Sequence, residues 1–227
     1  TEVGRCYSIR CSVGAAWPPG RDIVSRFERV FSEPPCTDDN SATRSDLRLA
    51  IDSGAEGLLF LDIETCGFAG TPVFLIGTMH YGRGDLHVEQ LVARSYSEEA
   101  AILHRLGHLL EKRPHLVTFN GKSFDWPFLL DRAAISRMPI GQPSGHCDLL
   151  HASRRRYRDV LPNCRLQTLE STVCGRRRRG DIPGAEIPAA YHAYVASGDA
   201  YEMREILQHN FLDLATLADI LSRLMRD

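Results

Sequence analysis

No apolar run in this 227-residue chain approaches the roughly 20 residues that a membrane-spanning helix needs. The opening, Thr1 to Trp17, has neither a basic start nor a continuous apolar stretch, so it does not read as a secretory signal. It also lacks an initiator Met, which points to a true N-terminus further upstream. The seven cysteines, at 6, 11, 36, 66, 147, 164 and 174, include no Cys-x-x-Cys pair, which disfavours a zinc site. Their odd number disfavours a closed disulfide framework, and reduced thiols in a cytoplasmic protein are the expectation. Lysine is nearly absent, with only Lys112 and Lys122 beside 25 arginines, a bias read as genomic rather than functional. There is no internal repeat.

What is present is an ordinary globular composition, 43% hydrophobic and 25% charged, long enough for one large domain with an extension. The formal net charge of −2 argues against a wholly basic nucleic-acid binder. The distribution is more telling. Ser153 to Arg179 holds nine Arg and two acids, a local charge of +7 that leaves −9 on the rest. A basic face on an acidic body suits a polyanion partner. Each Arg run alone is more often a solvated face, and contact with a phosphate backbone is the favoured alternative.

Residues 1–45 read as an N-terminal arm punctuated by Pro18-Pro19-Gly20 and Pro34-Pro35. Between the prolines Ile23, Phe27, Val30 and Phe31 share one face of a short amphipathic helix. Residues 46–227 read as the main domain, its regular part starting near Gly57. Strands are expected at Leu58–Ile63, Val73–Met79, Leu86–Val92, Leu116–Phe119 and Cys147–Leu150. Helices are expected from an Ser97 N-cap to Leu110, from Ser123 to Ala134 with Pro127 in the first turn, and from Leu207 to Leu224. Three adjoining strands followed by alternating helices and strands give an α/β, RNase H-like order: a mixed five-stranded sheet flanked by helices.

Three stretches of the chain carry chemistry. Asp62 and Glu64 stand at i and i+2 in an apolar strand, hence on one face, where two neighbouring carboxylates need a cation or open solvent. Asp125 is the one acid in Phe119–Leu130 and follows a turn, Asn120-Gly121-Lys122-Ser123, at a strand end where open α/β sheets bind ligands; it could equally serve a helix dipole. His209 and Asp213 are one helical turn apart, which also suits an exposed pair. Together, four carboxylates suit two Mg²⁺ or Mn²⁺ ions clamping a phosphodiester. Asp148, between His146 and His151, is read as structural rather than as a further ligand.

Phe60-Leu61-Asp62-Ile63-Glu64-Thr65 resembles the first motif of the DnaQ-like, four-carboxylate 3′–5′ exonucleases. Asn120-x-x-x-Phe124-Asp125 resembles their second motif, as in family B DNA polymerase proofreading domains, and His209-x-x-x-Asp213 their third. The chain from about 57 to 224 is similar to YprB-type RNase H-like domains in Pro72–Gly77, Val117–Lys122, Asn163–Glu170 and Asp181–Pro188. The resemblance implies that Asp62, Glu64, Asp125 and Asp213 hold two metal ions and that His209 is the general base. It implies substrate contacts from Thr65, Asn120, Lys122 and Arg165. His209 stands at i−4 from Asp213, whereas the His-containing subclass uses i−5; it either reaches the water at a different angle or acts only from behind the ligands. The implied activity is 3′–5′ exonuclease action on single-stranded nucleic acid, DNA in preference. The alternatives are an RNA-trimming exoribonuclease or a catalytically silent nucleic-acid-binding module. No membrane partner is expected, and the arm names no protein partner.

Overall fold

Leu58, Leu59, Phe60, Leu61 and Ile63 are branched or aromatic residues with no room for water on either side, and they build the centre of a sheet. The computed structural model describes residues 3–33 and 42–226. In chain order it contains β1 (Tyr7–Ser12), α1 (Val13–Ala16), α2 (Gly20–Ser32), α3 (Ala42–Gly57), β2 (Leu58–Thr65), β3 (Val73–Gly82) and β4 (Asp85–Val92). There follow α4 (Glu99–Lys112), β5 (His115–Thr118), α5 (Asp125–Ile135), β6 (Gly145–Asp148), α6 (Leu149–Tyr157), α7 (Leu166–Thr172), α8 (Ile187–Ser197) and α9 (Tyr201–Leu224). Pro34, Pro35 and Cys36 lie outside the described residues, as does most of the polar stretch after them. The six described cysteines are free. No helix among the described residues is long and apolar enough to cross a membrane.

The sheet order is β1-β4-β3-β2-β5-β6. β2, β3 and β4 form the expected antiparallel meander, and β5 and β6 add in parallel through the helical crossovers α4 and α5. The mixed α/β fold is as expected, but the sheet has six strands rather than five. The extra strand is β1, which runs antiparallel along β4 from Tyr7 beside Val92 to Ser12 beside His87. The arm is not idle elsewhere. Ile23, Val24, Phe27 and Val30 of α2 are buried, and the Phe27 ring meets Phe60 at 5.9 Å between centroids. Ser97 does not cap α4: it sits in a short 3₁₀ turn and bonds Ser95 through its hydroxyl.

Alternation along β2 sends Leu59, Leu61 and Ile63 to one face, where Ile102, Leu103 and Leu106 of α4 join the same core. Phe60, Asp62 and Glu64 point to the other face, where Leu214, Leu217 and Leu221 of α9 pack with α2. The C-terminal ends of the parallel strands β2, β5 and β6 therefore share one edge, next to α9, where ligands bind open α/β sheets.

Candidate active site

The acids of β2 need α9 to stay in place. Asp62 lies beside Gly77 of β3, and Gly77 beside Gln90 of β4. Gly77 leaves a gap in the sheet surface, and Asn210 of α9 fills it. A Cβ on Gly77 would stand 2.1 Å from Asn210 Oδ1. Within the gap Gln90 Nε2 donates to Asn210 Oδ1 at 2.9 Å, and Asn210 Nδ2 donates to Asp62 Oδ2 at 2.8 Å. Asn210 is fully buried, so each of these bonds replaces one to water that it has lost. Gly77→Ala is expected to push Asn210 off Asp62, costing roughly 1–3 kcal/mol for the overpacking alone. Urea denaturation should read that loss, and any activity assay should fall further than the stability change explains.

Asp125 arrives from the other side. Asn120 adopts a left-handed conformation (φ 65°), and its turn is clamped by Asp148, whose carboxylate accepts from Asn120 N at 2.8 Å and Lys122 N at 3.1 Å. The same carboxylate caps α6 through Leu150 N. Asp148 is thus structural, and its clamp sets Asp125 in the first turn of α5, buried.

Asp62, Glu64 and Asp125 each feel the charge of Asp213. Burial, then the charges of Asp213, Glu64 and Asp125, push the Asp62 carboxyl well above the carboxylate range, against the bond from Asn210. Glu64 is raised by burial and then by Asp213, Asp125 and Asp181. Asp125 is pushed up to about 7, chiefly by burial, with Asp148 and Asp213 adding to it and its own and the Ile63 amides opposing. In the unfolded chain that carboxyl titrates near 4. Between those values the folded state binds the extra proton, so this contribution to stability is present below pH ~4 and is lost as pH rises through about 7. In EDTA, the Tm gain of Asp125→Asn over wild type should therefore grow across that window. A gain independent of pH would contradict the assignment.

Asp213 is shared. His209, one turn earlier and buried, holds Nε2 at 3.5 Å from Asp213 Oδ2. The Arg178 guanidinium bonds Asp213 Oδ1, reaches Glu170 Oε2 at 2.6 Å and Asp181 Oδ2 at 3.3 Å. Burial alone would lower the Arg178 pKa, but Asp213 and Glu170 carry it upward, so it is a fixed positive charge inside the acidic cluster. Among the described residues no three acidic, imidazole or thiol groups converge closely enough to chelate an ion as they stand. Even so, the donor set fits a hard divalent cation: oxygen ligands, partly desolvated, with one guanidinium, that of Arg178, already paired to Asp213.

Of the remaining sequence-expected residues, Thr65 closes β2 and donates to Gly67 O at 2.8 Å. Asn120 sits in the Asp125 turn. Lys122 is tied by Nζ to Asp46 Oδ2 at 2.7 Å. Arg165 is exposed at the N-terminal end of α7, the helix that supplies Glu170, and makes no ion pair among the described residues. The sequence reading missed Asn210, Arg178 and Asp181. Only Gly77, a glycine inside an apolar strand, signalled a close approach. The run Arg176–Arg179 divides in two: Arg177 and Arg179 are exposed, while Arg176 and Arg178 turn inward to Asp219 and Asp213.

A model of the RNase H superfamily matches residues 59–225. YprB of Bacillus subtilis (strain 168) is 31% identical over 168 residues, 72% of this chain and 40% of that protein. The family B DNA polymerase of the hyperthermophilic archaeon Pyrobaculum calidifontis is similar in fold, with a TM-score of 0.60 at 16% identity over 74% of this chain and 24% of the polymerase. The chain thus spans well under half of either relative.

Proposed function

The chain belongs to the RNase H superfamily, and from that premise we propose that it is a metal-dependent nuclease, a 3′–5′ exonuclease of single-stranded nucleic acid. One observation carries the reading: beside His209, the carboxyls of Asp62 and Glu64 of β2 and of Asp125 of α5 are all raised by burial and by the charge of Asp213 of α9. Such a set is costly to the fold unless cations use it. Two Mg²⁺ or Mn²⁺ ions, when bound, would supply charge stabilisation for the entering and leaving oxygens of the phosphodiester. Asp62, Glu64, Asp125 and Asp213 would hold them. Asn210 keeps Asp62 oriented by its 2.8 Å bond. His209 offers an imidazole nitrogen that can take the proton of the attacking water. Arg177 and Arg179, exposed beside the site, suit the backbone phosphates, and such contacts would make binding fall with salt.

The test is a pair of end-labelled single strands, DNA and RNA of matched sequence, incubated with Mn²⁺, Mg²⁺ or EDTA. Stepwise shortening from the 3′ end that needs metal supports the reading, and the better substrate decides between DNA and RNA. Cleavage of closed circles would make it an endonuclease. Binding without any metal-dependent cleavage would leave a silent nucleic-acid-binding module instead.

A further inference from the structure

A fifth carboxylate stands behind the imidazole. Asp181 belongs to the connection between α7 and α8, and its Oδ1 lies 2.9 Å from His209 Nδ1. Both side chains are shielded, at 13% and 9% exposed, so water competes little for this bond. The other oxygen, Oδ2, accepts from Arg178 Nη1 and from Gln167 Nε2, each at 3.3 Å. The connection is itself pinned. Arg178 is locked to Glu170 at 2.6 Å, and Ile182 packs against the core on the α4 side of the sheet.

We propose that Asp181 is a positioning residue for His209, fixing its ring orientation and its Nδ1–H tautomer so that Nε2 is the free proton acceptor on the Asp213 side. The inference rests on the nuclease reading for its consequence, though not for its geometry. An ionised carboxylate can only accept, so the ring nitrogen facing it must donate. In a neutral imidazole the remaining nitrogen is then unprotonated. That nitrogen, Nε2, stands 3.5 Å from Asp213 Oδ2, and no hydrogen-bond donor among the described residues meets it. Without Asp181 the ring would be free to rotate about its side-chain bonds, or to carry its proton on Nε2 and present no base. Arg178 completes the arrangement by donating to the other oxygen, which aims the Asp181 carboxylate.

The experiment uses the full chain with ¹⁵N-labelled histidine, free of metal, at a pH of about 8, where an ordinary imidazole is neutral. Long-range ¹H–¹⁵N correlations should show His209 as the Nδ1–H tautomer, its signals identified by their loss in His209→Gln. Asp181→Asn should convert the ring to a mixture or to Nε2–H, and Asp181→Glu should restore part of the wild-type pattern. On nucleic acid, kcat should fall roughly 10²-fold in Asp181→Asn, within the ~10²–10⁴ that a general base contributes, with KM and Mn²⁺ affinity unchanged. A wild-type ring protonated on Nε2 would overturn the proposal even if neither Asp181 variant folds. So would full turnover in Asp181→Asn, or a loss of Mn²⁺ affinity, which would make Asp181 a ligand. If the wild-type chain hydrolyses nothing, the nuclease reading fails on its own, and the tautomer still decides whether Asp181 positions His209.

Discussion

Asp62→Asn is expected to lose hydrolysis by on the order of 10³-fold or more while raising the Tm of the metal-free protein. The loss follows from removing a ligand oxygen and its charge from the centre of the site. Metal-borne charge stabilisation amounts to several kcal/mol, and each 1.36 kcal/mol is tenfold in rate. The gain follows from the same charge. Asp62 is raised by burial and by three neighbouring acids, so its ionised form opposes folding at neutral pH. An amide keeps the shape and can still bond Asn210 without that repulsion. Paired assays of turnover in Mn²⁺ and thermal unfolding in EDTA check both signs. Loss of activity with a lower Tm would mean that Asp62 holds the fold together rather than serving chemistry, and the site would need another account.

The second large effect is structural. Asp219 of α9 is fully buried and accepts from Arg26 of α2, from Arg176, and from Arg223 Nε at 2.9 Å. Asp219→Ala leaves three partly buried guanidiniums facing one another, with only Glu170, 3.8 Å from Arg176 Nε, as an anion nearby among the described residues. Removing one partner of a buried pair costs about 3–5 kcal/mol, and the lower end is expected because the arginines keep some contact with water. The loss should be local as well as global. Arg26 and Trp17 bring the arm to α9, Trp17 meeting the Phe211 ring edge-on at 6.1 Å and carrying Arg176 over its face at 5.5 Å. Urea denaturation should show the drop, and hydrogen exchange should show α2 opening ahead of the sheet. A variant within 1 kcal/mol of wild type would mean that the arginines are solvated and the anion is dispensable.

The strands of the central sheet were legible because Leu58–Ile63, Val73–Met79 and Leu86–Val92 are apolar or alternating, and nothing tertiary overrides them. β1 was not read although Tyr-Ser-Ile-Arg-Cys-Ser alternates, because the prolines after it marked the segment as an arm; β4 offers it an open edge. The motif acids were legible because carboxylates interrupt apolar segments, which physics tolerates only with a reason. Their partners were less so. Asn210 sits between the two conspicuous residues of the last motif, and its role depends on a hole left by Gly77, 133 residues away in sequence. Arg178 read as part of a basic face, because a run of arginines gives no sign of which members turn inward, and Asp181 read only as the first residue of the Asp181–Pro188 resemblance. Alternation along 176–179 is what the structure adds, and it turns Arg178 into part of the acidic site and Arg176 into a prop of α9.

The central claim is that these separated acids form a cation site, and direct metal titration tests it. Calorimetric titration of the chain with Mn²⁺ is expected to give two bound ions per chain, with affinity that weakens as pH falls below about 7, where Asp125 takes up its proton. Asp62→Asn is expected to remove at least one ion. Failure of the wild-type chain to bind Mn²⁺, or binding that Asp62→Asn and Asp213→Asn leave unchanged, would contradict it.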